Sequence, residues 1–223
     1  MSEHPEHPSI RLPDQQNYEA AHGLAYRLAV EKLADAASIE ELVRRSGANL
    51  ITGNSEKTIQ LAYLNQLYRI NFPQVEISRA NDAAPVELRD KILILHYLIT
   101  ASGRPLSSEL ISFKALGEGL AYYPNFSQRV IQPLLTAFGQ NPDNMLKSAI
   151  WLGGVKSDYG DLAATIPAFP RVPLTLVLWR GDDEFPPSVN ILFDRTASDY
   201  LPLEDLIVLC QTVVWKMVKG PKN

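Results

Sequence analysis

The sequence predicts an α+β fold: one domain over residues 17–220, with an antiparallel or mixed sheet packed against several helices. Three observations carry that expectation. Residues 49–78 break into short β-type runs, "LITG", "TIQLAYL", "LYRINF" and "VEIS", with turn signals between them. The stretch "RVPLTLVLWRG" is apolar on both faces over 174–178, as a central strand should be. Other stretches, ending with "EDLIVLCQTVVWKMVKG", repeat apolar residues at helical spacing.

The elements follow in order. Residues 1–16 are polar and proline-containing and read as a flexible tail, with His4 and His7 in it. Asn17 is a good cap for a first helix whose stripe is Tyr18, Ala21, Ala25, Leu28 and 30–33. Ser38 and Glu41 form a capping box for a second helix that stops at Gly47. A β-meander over 49–78 turns at Gly53–Asn54 and Asn65–Gln66. "NDAAP" opens a helix over about 85–101 whose second half, "KILILHYLIT", is apolar almost all round and therefore buried.

Loop with a short helical turn is expected over 104–120. "NFSQRVIQPLLTAFG" reads as a helix kinked by Pro133, and "PDNMLKSAIWLGG" as one more short helix. "VNILFD" alternates, placing Val189, Ile191 and Phe193 on one face. In the closing helix Glu204 and Asp205 suit the positive N-terminal end, and Lys216 and Lys219 the C-terminal end. Its buried stripe is Leu206, Leu209, Cys210, Val213 and Met217.

Composition narrows the function. The chain has 223 residues, 46% apolar and 21% charged, which is ordinary for a globular protein with a sizeable core. A net charge of -4 argues against a nucleic-acid partner, which needs a basic face. A single cysteine permits no internal disulfide and no cysteine-based metal cluster. No apolar run approaches a membrane span and the first residues lack a signal-peptide core, so a cytoplasmic protein is expected. Phosphate-binding loop, nucleophile elbow and paired-histidine metalloprotease motifs are all missing.

Three stretches remain as candidates. In "LWRGDDEFPPS" the acids Asp182, Asp183 and Glu184 offer oxygen ligands for a hard cation, or form a ligand lip over Trp179 and Phe185. The plainer alternative is a strand connection in which Asp182 caps a turn and Pro186–Pro187 stiffen the exit. Asp194 cannot join such a site, since a strand over 189–193 puts it about 20 Å from Ser188 at roughly 3.3 Å per residue. His96, on an apolar helix, is either a neutral metal or tetrapyrrole-iron ligand or a hydrogen-bonded core residue. In "GEGLAYYPNFSQR", Tyr122, Tyr123 and Phe126 offer stacking surface and Arg129 a carboxylate or phosphate partner; the alternative is that these rings pin a helix to its core. The glycines there do not make a dinucleotide fingerprint.

The segments "LILHYLITASGRPL", "YYPNFSQRVIQPLLTAFG", "FPRVPLTLVLWRGDDEFPPSVNILFD" and "YLPLEDL" together resemble the DUF3786 family, a bacterial and archaeal family of unassigned function. The likeness covers about residues 90–210 and is most specific over 170–194. It implies a context: some relatives carry an iron–sulfur domain similar to that of corrinoid methyl carriers, in anaerobes with corrinoid-dependent one-carbon metabolism. This chain, with one cysteine, has no such cluster domain. The reading favoured is a ligand-binding or accessory protein rather than an enzyme. Its ligand would be a corrinoid or haem, lined by His96, Tyr122, Tyr123, Arg129, Trp179 and Phe185. The alternatives are a protein-interaction domain and a metal-assisted hydrolase using Asp182, Asp183 and Glu184.

Overall fold

The structure, a computed structural model, describes residues 15–53 and 57–220. Nearly all of the expected tail, and the turn at Asn54, lie outside the described residues. The first helix, α1 (Gln15–Ala34), begins two residues before Asn17. Its buried side is Ala29 and Leu33, whereas Leu24 and Leu28 are exposed. The expected stripe is therefore misplaced at Leu28: α1 packs chiefly along one other helix, which covers a narrow strip of it.

Local signals set α2 (Ile39–Ser46). The Glu41 amide donates to Ser38 Oγ at 3.2 Å, and Gly47 closes the helix at φ 70°. The Glu41 carboxylate turns forward to Arg44 and Arg45 rather than back to the cap, so only half of the capping box forms.

The meander is present as β1 (Asn49–Thr52), β2 (Lys57–Tyr63), β3 (Gln66–Phe72) and β4 (Glu76–Arg79), all antiparallel and in chain order. Its central hairpin turns on Leu64 and Asn65, one residue earlier than expected. Both have positive φ, 47° and 60°, which matches the twist of a two-residue hairpin. Such a backbone is costly for leucine. Leu64 is held there because its side chain is buried and its amide donates to the Ala168 carbonyl at 3.1 Å.

Next comes α3 (Leu88–Thr100), buried over 92–95 and at Tyr97 and Leu98, with His96 half-buried. The region expected to be loop contains a short strand, β5 (Leu110–Ser112). The helix expected from Asn125 starts earlier. It runs as α4 (Gly119–Phe126), a π-helical turn over Ser127–Ile131, and α5 (Gln132–Phe138). The π turn is the form the Pro133 disturbance takes: proline has no amide hydrogen and its ring crowds the Arg129 carbonyl, and widening the helix relieves both.

After α6 (Pro142–Trp151) come β6 (Val155–Ser157), β7 (Leu162–Phe169), β8 (Val172–Trp179) and β9 (Ser188–Asp194). With β5 they make an antiparallel sheet of order β5-β9-β8-β7-β6. The expected central strand, β8, is central. The chain closes with α7 (Leu203–Lys219), whose expected stripe is buried throughout.

The molecule is thus α+β, with two antiparallel sheets sharing one continuous apolar core. A stack of rings bridges them. Tyr63 of β2 lies 4.7 Å from Phe169 of β7, which lies 4.2 Å from Tyr97 of α3, which lies 6.0 Å from Tyr200. Each such pair adds about 1 kcal/mol beyond the area it buries. The Tyr97 hydroxyl donates to the Ser46 carbonyl at 2.6 Å and accepts from the Arg171 amide at 3.1 Å. Among the described residues no helix is long and apolar enough to cross a membrane.

Candidate functional site

Asp90 lies in the first turn of α3, on the side that carries Leu93, Ile94 and Tyr97 into the core, and is 2% exposed. A buried carboxylate needs donors. The Tyr63 hydroxyl donates to Oδ1 at 2.9 Å, and Lys216 Nζ, from the end of α7, to Oδ2 at 3.2 Å. Burial, then the Asp90 charge, push the Tyr63 phenol well above its ordinary range. The same two causes push neighbouring Tyr68 up to about 12, with Arg79 acting in the opposite direction.

Two adjoining depressions open above this cluster. One, of about 460 Å³, is lined by His22, Arg89, Asp90, Gln211 and Thr212 among others. The second, of about 510 Å³, is lined by Leu64, Asn65, Arg79, Trp151 and Lys219 among others. Glu87, Trp215 and Lys216 line both, so the two adjoin along these side chains as the two halves of a groove between α3, α7 and the β2–β3 hairpin.

Each wall is positioned by the fold. Asn65 Nδ2 donates to the Trp151 carbonyl at 3.2 Å, fixing the hairpin turn to the end of α6. Trp151 and Trp215 stay 40% and 46% exposed. Lys219 Nζ sits 3.6 Å from the centre of the Trp215 ring, a cation–π contact. Arg79, ending β4, hydrogen-bonds the Tyr68 hydroxyl and makes a long ion pair, NH1 to Asp82 at 3.5 Å, while its Nε is buried without an acceptor.

The residues singled out from sequence lie elsewhere. His96 Nδ1 is 2.8 Å from Asp205 Oδ2, at the start of α7, and the ring lines neither depression. Arg129 reaches the same turn and beyond it: NH1 donates to Glu204 at 2.6 Å and NH2 to Gln211, further along α7, at 3.1 Å. His96 and Arg129 are therefore brought to one end of α7, each with a protein partner.

The aromatic segment serves packing. Phe126 stacks on Phe113 at 4.1 Å and contacts Phe193, Tyr123 lies under Lys114, and Tyr122 is exposed. Gly119 is needed for a close approach to the chain itself: a β-carbon there would sit 1.9 Å from the Phe113 carbonyl oxygen.

Trp179 and Phe185 are both exposed, at the opposite end of β9 from Asp194. Asp182 Oδ1 accepts from the Glu184 and Phe185 amides at 2.9 and 2.7 Å, which is the turn-capping alternative. Asp182, Asp183 and Glu184 do not converge: among the described residues no three acidic, histidine or cysteine side chains are placed to hold a metal ion. Successive residues of a tight turn splay outward, and the first has spent an oxygen on its own backbone. Cys210 is buried, and burial raises its thiol, as suits a small core residue.

Sequence reasoning missed the groove. Its one legible signal was Asp90, an acid spaced three, four and seven residues from Leu93, Ile94 and Tyr97, hence on the buried face.

The class is then an α+β domain with a solvent-open, indole-lined groove over a buried carboxylate–lysine pair. The chain belongs to the DUF3786 family, described as a domain of unknown function, whose model matches residues 38–216. No curated protein and no solved structure matches it.

Proposed function

We propose that the protein binds a flat, partly apolar small molecule and acts as a binding or accessory protein. The observation that carries this is the groove: two half-exposed indoles, Trp151 and Trp215, line one depression, and Trp215 and Lys216 also line the adjoining one, which borders the buried, paired Asp90 carboxylate. Ligand sites combine such apolar walls with a few convergent polar groups. Tetrapyrroles, a corrinoid or haem, are the first class to try, because the family resemblance carries a corrinoid context.

A second reading rests on His96. Its Nδ1 is held by Asp205, which leaves Nε2 as the nitrogen to bind metal, and metal-binding imidazoles are commonly oriented in this way. Absorption titrations of the protein with haemin and with aquocobalamin test both readings. A spectral change abolished by Trp215→Ala assigns the groove, and one abolished by His96→Ala assigns an axial ligand. No change with either compound at micromolar protein ends the tetrapyrrole proposal and leaves the groove to smaller ligands.

A further inference from the structure

The groove is charged against the rest of the molecule. Four cations line it, Arg79, Arg89, Lys216 and Lys219, against two carboxylates, Glu87 and Asp90. The whole chain carries a net charge of -4. An excess of one sign in a concave site raises the local concentration of the opposite ion.

The cations are also unevenly employed. Lys216 is committed to Asp90. Among the described residues the only carboxylate in contact with Arg79 is exposed Asp82, at 3.5 Å, its other side-chain partner being the Tyr68 hydroxyl, and Lys219 has no carboxylate partner, lying instead over the Trp215 indole. The buried Arg79 Nε without an acceptor is the only buried side-chain nitrogen or oxygen among the described residues left in that state. Leaving such a donor unpaired costs about 1–3 kcal/mol, more when charged. A planar guanidinium with unused donors suits an oxyanion, which it can bind through two parallel hydrogen bonds.

We propose that the groove recognises an oxyanion, carboxylate or phosphate, carried on a flat ring: Arg79 and Lys219 take the anion, and Trp151 and Trp215 take the ring. This rests on the ligand-binding reading above and names the chemical class of its ligand. It requires no tetrapyrrole and no metal.

The chain's three tryptophans give a local readout, because Trp151 and Trp215 line the groove and Trp179 does not. Indole N–H resonances, assigned by single Trp→Phe changes, are followed while 1-naphthoate, 1-naphthyl phosphate and neutral 1-naphthamide are titrated into the full chain. The expected result is that at least one anion shifts the Trp151 and Trp215 signals, leaves that of Trp179 still, and binds about tenfold or more tightly than the amide, equivalent to about 1.4 kcal/mol. The two anions tell carboxylate from phosphate.

Arg79→Gln should remove the preference while retaining amide binding. Lys219→Gln, at the exposed end of α7, should reduce it and guards against a folding defect in the first variant. Equal binding of all three probes overturns the anion proposal and leaves the groove reading intact. Failure of every probe to move either groove indole overturns both.

Discussion

Asp194 and Asp90 are each 2% exposed, and the chain treats them differently. Asp194, ending β9, accepts five hydrogen bonds. They come from the Ser107 amide and hydroxyl at 3.1 and 2.9 Å, the Ser108 amide at 2.8 Å, and the Thr196 amide and hydroxyl at 3.0 and 2.7 Å. Burial would raise its carboxyl, but the donors of Thr196 and Ser107 prevail and hold it at about 2. Asp90 has two partners, a phenol and an ammonium, both reaching it across the fold, and it borders open space. The first carboxylate is a closed knot that fastens the segment before β5 to the end of β9. The second couples the core to a groove, so its electrostatics remain open to whatever binds there.

If that contrast is right, Asp194→Ala should have the largest effect on stability. It leaves several buried donors unpaired, and a loss of about 3–4 kcal/mol is expected, read as a lower urea midpoint with an unchanged slope. A loss below about 1 kcal/mol would mean that water replaces the knot.

Asp90→Ala should cost about 2–3 kcal/mol, largely because Lys216 is left without its counter-charge. Adding Lys216→Met should then recover a good part of that loss. Simple additivity in the double variant would show the two groups to be uncoupled.

The pH dependence sharpens the contrast further. A carboxyl lowered in the folded state stabilises above its unfolded value, about 3.9, and that contribution disappears as pH falls towards 2. About 1 kcal/mol, allowing for solvent screening, should be lost between pH 5 and pH 2 in the wild-type chain and be missing from the profile of Asp194→Asn.

The smallest effect belongs to the acidic turn. Asp182→Ala should lower the melting temperature only slightly, since it removes a solvent-exposed turn-capping acceptor. Millimolar Mg²⁺ or Mn²⁺ should leave the melting temperature of the wild-type chain where it is; a rise of several degrees would restore the metal reading of Asp182, Asp183 and Glu184.

Legibility followed the range of the forces involved. The cap at Ser38, the stop at Gly47, the alternation in β9 and the stripe of α7 are decided within a few residues, and all were readable. Strand β7 was not: Pro167 interrupts it and its register shifts there, so its pairing with β8 depends on the partner rather than on its own pattern. Leu28 was misassigned because apolar spacing marks several helix faces and only the neighbour selects one. The hydrogen-bond partner of His96 is Asp205, 109 residues away, which no local pattern on α3 could name.

By itself, then, the sequence determined the helices, the meander, the strands β8 and β9, the α+β class and the self-capped acidic turn, because backbone hydrogen bonding and short-range side-chain chemistry are settled between near neighbours. Tertiary structure alone decided that Asp90, Tyr63 and Lys216 meet, that Trp151 and Trp215 share a groove, and that Arg79 is left with donors unused. Those facts depend on how two sheets and two distant helices pack, and a local pattern carries no record of which of its surfaces another part of the chain will cover.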